Sequence, residues 1–223
     1  MRRAMAAITV MLAAACAHPD GSARSNWPTP SAASDMRITP ANIRRVARDL
    51  PGGYEVTGLA AATTPAAIWG VGPNWAAHPA QCATLADPLR GRGESAQGVS
   101  GSGSGGIVYA VVTTLPGKSA PADHATMSEC RQWSMATRQA ATRVRLVDPP
   151  HIDGIQTVGM ASETTTSVEN GTQIASHAQT FAAYLGDYYV FTILVTDPGS
   201  AHSPLPPQFV ADLLVKTVAA LRG

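Results

Sequence analysis

One run near the C-terminus restricts the folds open to this chain more than any other feature: "YYVFTILVTD", beginning at Tyr188. β-branched and aromatic residues follow one another with no polar face, the pattern of a strand buried on both sides. Such a strand needs a paired neighbour along each edge and an apolar layer over each face. Gly186-Asp187 just before it reads as a tight turn. Further back, Asn170-Gly171 marks a second turn between two long runs. "IDGIQTVGMASETTTSV" reads as a strand with Ser and Thr on its outer positions, while "TQIASHAQTFAAYL" fits strand or helix. Consecutive antiparallel strands across 155–196 are therefore expected.

Other elements fall around this centre. Thr39 and Pro40 open a helix whose Ile43, Val46, Ala47 and Leu50 share one face, with Arg44, Arg45 and Arg48 on the other. Pro51-Gly52-Gly53 ends it. "YEVTGLA", "GIVYAVVTTL" and "TRVRLVD" read as strands. Residues 63–105 look irregular, with a short helix near "PAQCATLAD", and the "GSGSGG" run reads as a mobile loop. "APADHATMSECRQWSMATRQ" reads as helix at least to Cys130, with Met127, Cys130 and Trp133 one helical turn apart. A last helix carries Phe209, Val210, Leu213, Leu214, Thr217, Val218 and Leu221 on one stripe and should cover one sheet face. The fold class is thus α+β, a mostly antiparallel sheet packed against helices, in a single domain with one disulfide.

The N-terminus places the chain. Arg2 and Arg3 precede an apolar stretch, Ala4 to Ala15, too short to span a bilayer, which takes roughly 20 residues. It suits the core of an export signal. Ala13, Ala14 and Ala15 lead directly into Cys16. This resembles the lipobox of bacterial lipoproteins, in which the cysteine is acylated and becomes the first residue; Leu12 stands one place further upstream than the usual pattern. Each buried methylene of such an anchor contributes about 0.8 kcal/mol, so more than one chain gives a stable hold. Residues 1–15 are then a signal peptide, 16–36 a lipidated cysteine with a Pro/Ser-rich tether, and 37–223 the folded domain. The expected location is the cell membrane, lipid-anchored, on its extracytoplasmic face.

With Cys16 acylated, Cys82 and Cys130 remain as one pair of the three cysteines. An exported chain meets an oxidising compartment, so a disulfide between them is expected. Processing also removes two of 16 basic residues, leaving 14 against 15 acidic ones and a net charge of −1. That balance lacks the basic stripe of a nucleic-acid binder.

Chemistry-bearing motifs are sparse. "GSGSGG" matches G-x-G-x-x-G in letters, but it precedes a strand where a dinucleotide loop follows one, so no cofactor is expected. No G-x-S-x-G elbow occurs. Histidines 18, 78, 124, 151, 177 and 202 form no close metal pair, and Asp123, His124 and Glu129 would need a further ligand, so no metal is expected. Glu163, Glu169, Asp153 and Asp187 fall near strand ends, where a glycosidase-type carboxylate pair would require closeness in space. Trp69 and Trp75 flank "GVGPN" near Cys82. With Tyr109 and Trp133 they are read either as core filler or as the wall of an apolar ligand pocket.

Taken with the lipobox and tether, Cys82, "CRQW" at Cys130–Trp133, "PPHIDGIQTVGM" and "LGDYYVFTILV" resemble a group of mycobacterial lipoproteins carrying a domain of unknown function. The chain is also distantly similar to the extracellular sensor domain of PknH-type receptor kinases, over residues 38–222. The resemblance implies an antiparallel sheet with flanking helices and a cleft that takes a small ligand, held by two bridges in the kinase sensor against one here. It carries over no catalytic residue, and any signalling would pass through a partner.

The functional expectation is a non-catalytic ligand-binding or sensor-like lipoprotein of the cell envelope, taking a small-molecule, lipid or glycan ligand or an envelope protein partner. The alternatives are an envelope hydrolase with a Ser or carboxylate-based site, and a structural lipoprotein organising envelope partners. Intact mass spectrometry of native protein should show acylated Cys16 as the first residue, and Cys16→Ser should release the protein from membranes. An unprocessed Met1 start would overturn the anchoring.

Overall fold

The structure is a computed structural model, and it describes residues 37–59, 63–89, 95–115, 122–169 and 171–223. The signal segment, Cys16, the tether with Trp27, and Asn170 lie outside the described residues.

Among the described residues nine strands form one antiparallel sheet: β1 (Glu55–Leu59), β2 (Ala76–His78), β3 (Ala96–Gly103), β4 (Gly106–Thr114), β5 (Gln132–Ala136), β6 (Ala140–Val147), β7 (Gln156–Ser167), β8 (Gln173–Leu185) and β9 (Tyr188–Thr196). Their spatial order is β1-β3-β4-β9-β8-β7-β6-β5-β2. Four short or medium helices punctuate them: α1 (Pro65–Ile68), α2 (Ala83–Ala86), α3 (His124–Glu129) and α4 (Pro207–Arg222). A 3-10 helix, Pro40–Asp49, precedes β1. The α+β class, the antiparallel sheet and the consecutive strands across 155–196 are as the sequence predicts.

The run at Tyr188 is β9, paired with β4 on one edge and β8 on the other. Its alternate residues serve two separate cores. Tyr189, Phe191 and Ile193 point into a core shared with Trp69, Leu85, Leu89, Met135 and the cystine. Val190 and Leu194 point into a second core with Ile43, Val46, Leu213, Leu214 and Val218. The molecule is therefore three layers deep. α4 and the 3-10 helix cover β3, β4, β9 and β8 on one face. Short helices and loops around the cystine cover the other.

Threonines inside these cores are paired. The Thr192 hydroxyl donates to the Val210 carbonyl at 2.7 Å, locking β9 to α4. Thr217 donates to the Leu213 carbonyl one helical turn back. Thr142 and Thr164 share a hydrogen bond of 2.9 Å across β6 and β7. Each such bond avoids the cost of an orphaned buried group, about 1–3 kcal/mol. Ser162 and Thr164 are thus buried, not on the solvent side of β7 as the Ser/Thr-rich pattern suggests.

A further expectation is corrected. The "GSGSGG" segment is not a loop: Gly101, Ser102 and Gly103 close β3, Ser104 and Gly105 make the turn, and Gly106 opens β4. The glycines are required by contact. A Cβ on Gly101 would lie 2.8 Å from a Leu50 methyl, and one on Gly103 would run into the Tyr54 ring. Both large side chains lie directly on bare backbone. The segment expected as helix at least to Cys130 is helical to Glu129, with Cys130 as its cap, and the one-turn spacing of Trp133 from Cys130 does not extend it. Trp133 and Met135 face inward from β5 with exposed neighbours between them. A spacing of three fits both a helical turn and a helix-to-strand junction, and cross-strand pairing of β5 with β6 decides it.

Tyr184, Tyr189 and Phe191 pack in succession along one core as tilted pairs, with ring centroids 5.2 Å and 5.4 Å apart. Burial pushes the Tyr184 phenol up to about 12. Burial, then the nearby Tyr184 and Asp87 charges, holds Tyr189 well above its ordinary value. Unfolded tyrosine ionises near pH 10, so the folded chain holds these protons longer. Stability should be flat below about pH 10 and fall between there and about pH 12, by about 2–3 kcal/mol for Tyr184 alone. Tyrosinate absorbance followed beside circular dichroism checks this: both phenols should ionise only as the sheet unfolds.

Candidate functional site

α4 reaches only part of the face it covers. Beyond β8 the strands change character on that side. β5 and β6 alternate cleanly, with Trp133, Met135 and Val144 packed into the cystine-side core and Gln132, Ser134, Arg143 and Arg145 exposed on the other side. β7 and β8 add Ala161, Glu163, His177 and Gln179. The result is an open groove of about 610 Å³, floored by sheet.

Register places its side chains in two rows. His78 pairs with Ser134, Ser134 with Arg143, Arg143 with Glu163, and Glu163 with His177. Gln132, Arg145, Ala161 and Gln179 form the second row, two residues along each strand. At roughly 4.8 Å per strand the first row runs about 19 Å. Ala161 is small and buried, so the second row dips at its centre. Arg145 and Gln179 also border an adjoining depression of about 470 Å³ with Val147, Pro149, Pro150, Phe181 and Pro207.

The residues singled out from the sequence lie mostly elsewhere. Cys82 and Cys130 form the disulfide, with Cα atoms 5.5 Å apart, both fully buried. A hydrogen bond of 2.9 Å from Gln81 Nε2 to Glu129 joins the residues just before each cysteine. Trp69 is 2 % exposed, and its indole N–H donates to the Thr180 hydroxyl at 2.9 Å. Trp75 and Tyr109 pack half-buried against the same core, where burial raises the Tyr109 phenol. Trp133 borders the groove from the sheet floor while its ring belongs to that core. The structure thus places Trp69, Trp75, Tyr109 and Trp133 in or against the same core as the cystine.

The sequence does not single out Arg143, and it presents Glu163 and His177 only as candidates for a carboxylate pair and for metal binding, not as parts of one groove. Each sits at an alternate position of a strand, the ordinary pattern of a solvated face. Only the register, which lines five such positions across five strands, makes them a surface.

Ser134 faces His78, and Glu163 faces His177, across neighbouring strands, yet among the described residues no hydrogen bond or ion pair joins either pair. Ser134 and His177 stand three strands from each other, about 14 Å, beyond hydrogen-bond reach. Glu163 lies mid-strand, Glu169 beyond one end of β7, and Asp153 and Asp187 at its other end. Asp153 pairs with His151 at 3.0 Å in an exposed turn. Asp123 caps α3, and the Thr126 backbone N–H holds its carboxyl below the usual range. No three His, Cys, Asp or Glu among the described residues approach closely enough to hold a metal ion.

The chain shares its fold with the crystal structure of an uncharacterized protein from Mycobacterium smegmatis: 17% identity, 85% of this chain and 100% of that chain covered, TM-score 0.62. The extracellular domain of PknH from Mycobacterium tuberculosis aligns at 10% identity over 84% of this chain and 93% of that one, with TM-score 0.43. No curated protein matches.

The cystine closes a loop of 48 positions. Chain entropy assigns it about 4 kcal/mol. Replacing both cysteines by serine should lower the unfolding free energy by roughly that amount in urea titration; no change would mean the two core layers hold without it. With that staple, the two-sided sheet and the groove in place, the family model for a domain of unknown function, DUF5642, matches residues 39–222, and the chain belongs to that family.

Proposed function

We propose that this protein is a non-catalytic ligand-binding module of the cell envelope, held on the extracytoplasmic face by lipid on Cys16, with the groove over β5–β8 as its site. The observation that carries this reading is uneven cover of the strands β5–β7: their cystine-side face is packed into a core, and their other face is left open along two rows of aligned, mostly polar side chains. Its volume falls within the roughly 300–1,000 Å³ of small-ligand sites. A rigid sheet floor presents these groups without ordering a loop, which lowers the entropy lost on binding.

Ser134 faces His78 and Glu163 faces His177 across neighbouring strands, but the absence of a hydrogen bond within either pair among the described residues, and the distance of Glu163 from the other carboxylates, favour binding over hydrolysis. Lipid anchoring and the nature of the envelope ligand follow from the sequence reading and belong to the same proposal.

A ligand at 100 times its Kd stabilises the folded state by about 2.7 kcal/mol. Thermal-shift screening of envelope glycan and lipid fractions should find one that raises Tm by several degrees. Arg143→Ala and Ala161→Trp should abolish the shift while leaving the unliganded Tm of the arginine variant near wild type. Stabilisation that survives both changes places the site elsewhere, and silence across all fractions refutes the binding role.

A further inference from the structure

We infer that the groove selects a small polyhydroxylated anion, a sugar or cyclitol bearing a phosphate group. This deepens the binding proposal above and rests on it.

Arg143 and Arg145 alternate on β6, so their side chains leave the same face about 7 Å apart. Two like charges at that spacing repel, and an ordinary surface would place an acid beside each. Only Arg143 has one, Glu163, directly across the β6–β7 register. Even there no ion pair within 4.0 Å forms. Arg145 is flanked across the sheet by Gln132 and Ala161, both uncharged. Among the described residues neither guanidinium has a hydrogen-bond or ion-pair partner.

The inventory of donors and acceptors narrows the ligand. Guanidiniums only donate, and they match phosphate oxygens in a two-pronged fashion. The Glu163 carboxylate only accepts, so the same ligand must also offer hydroxyl donors. Gln132 and Gln179 can do either, as can Ser134. A bare inorganic anion satisfies the arginines but faces repulsion from Glu163. A neutral sugar satisfies Glu163 and the amides but leaves two cations unmatched. A phosphorylated sugar meets both requirements, with its phosphate at Arg145 over the Ala161 dip and its hydroxyls toward Glu163. The adjoining depression is lined by Val147, Pro149, Pro150 and Phe181 together with the polar Asp148 and Gln208. It leaves room for the apolar part of a lipid-borne version of the same headgroup.

Full-length protein is titrated with glucose 6-phosphate, glucose, inorganic phosphate, and phosphatidylcholine vesicles with and without phosphatidylinositol, by calorimetry and amide NMR. Glucose 6-phosphate should bind at least tenfold tighter than glucose or phosphate and shift the amides of Arg145, Glu163 and Gln179. Arg145→Ala should weaken it at least tenfold. Glu163→Gln should weaken glucose 6-phosphate yet strengthen inorganic phosphate, a reversal that a merely structural role would not produce. Arg145-dependent binding confined to phosphatidylinositol vesicles assigns the headgroup to a lipid, and binding of the free sugar phosphate assigns a soluble ligand; both support the class. Equal binding of glucose and glucose 6-phosphate, or no response to any phosphorylated probe, overturns it. If a neutral envelope fraction then still stabilises the protein through Arg143 and Ala161, the anion class falls and the binding role stands. If nothing does, both fall.

Discussion

Burial of β9 on both faces is the constraint on which the rest of the architecture depends. A strand with Tyr189, Phe191 and Ile193 on one side and Val190 and Leu194 on the other cannot rest against a single layer. Each face needs its own cover, and the chain builds two unlike ones. One is a regular amphipathic helix laid across the central strands. The other is a patchwork of short helices and loops, too irregular to stay packed on propensity alone, with the cystine and the Trp69–Thr180 hydrogen bond embedded in it.

The groove is a consequence of that inequality. A sheet of nine strands is about 38 Å wide at the usual spacing. A helix of 16 residues is about 24 Å long and roughly 10 Å thick. It covers β4, β9 and β8 and leaves β7, β6, β5 and β2 bare on its side. The exposed face beyond it turns polar strand by strand, because solvated positions there have no packing to gain. The patchwork layer spans the opposite face out to β5, so those same strands remain anchored from below by Trp133, Met135, Val144 and Met160. A rigid floor with an open polar top is what a binding surface requires.

Much of the fold was legible in residue patterns. The alternation in β6, the turn at Gly186-Asp187, the stripe of α4 and the pairing of Cys82 with Cys130 all report local or compositional constraints. The errors share one cause. The glycine-serine run is a strand because Leu50 and Tyr54 press on its backbone, and Trp133 is on a strand because β6 is there to pair with it. The inward Ser162 and Thr164 likewise take their facing from the pleat and their neighbours. Each outcome was set by a contact distant in the chain.

The amino-acid order alone established a buried central strand, a terminal amphipathic helix and a two-cysteine staple, since these follow from periodicity, size and composition among near neighbours. It also marked Trp69, Trp75, Tyr109 and Trp133 as aromatic residues needing a place. Tertiary structure decided that those rings join the same core as the cystine, and that His78, Ser134, Arg143, Glu163 and His177 form a line. Cross-strand register is a long-range property: a shift of one residue in any strand would turn its member of that line to the other face.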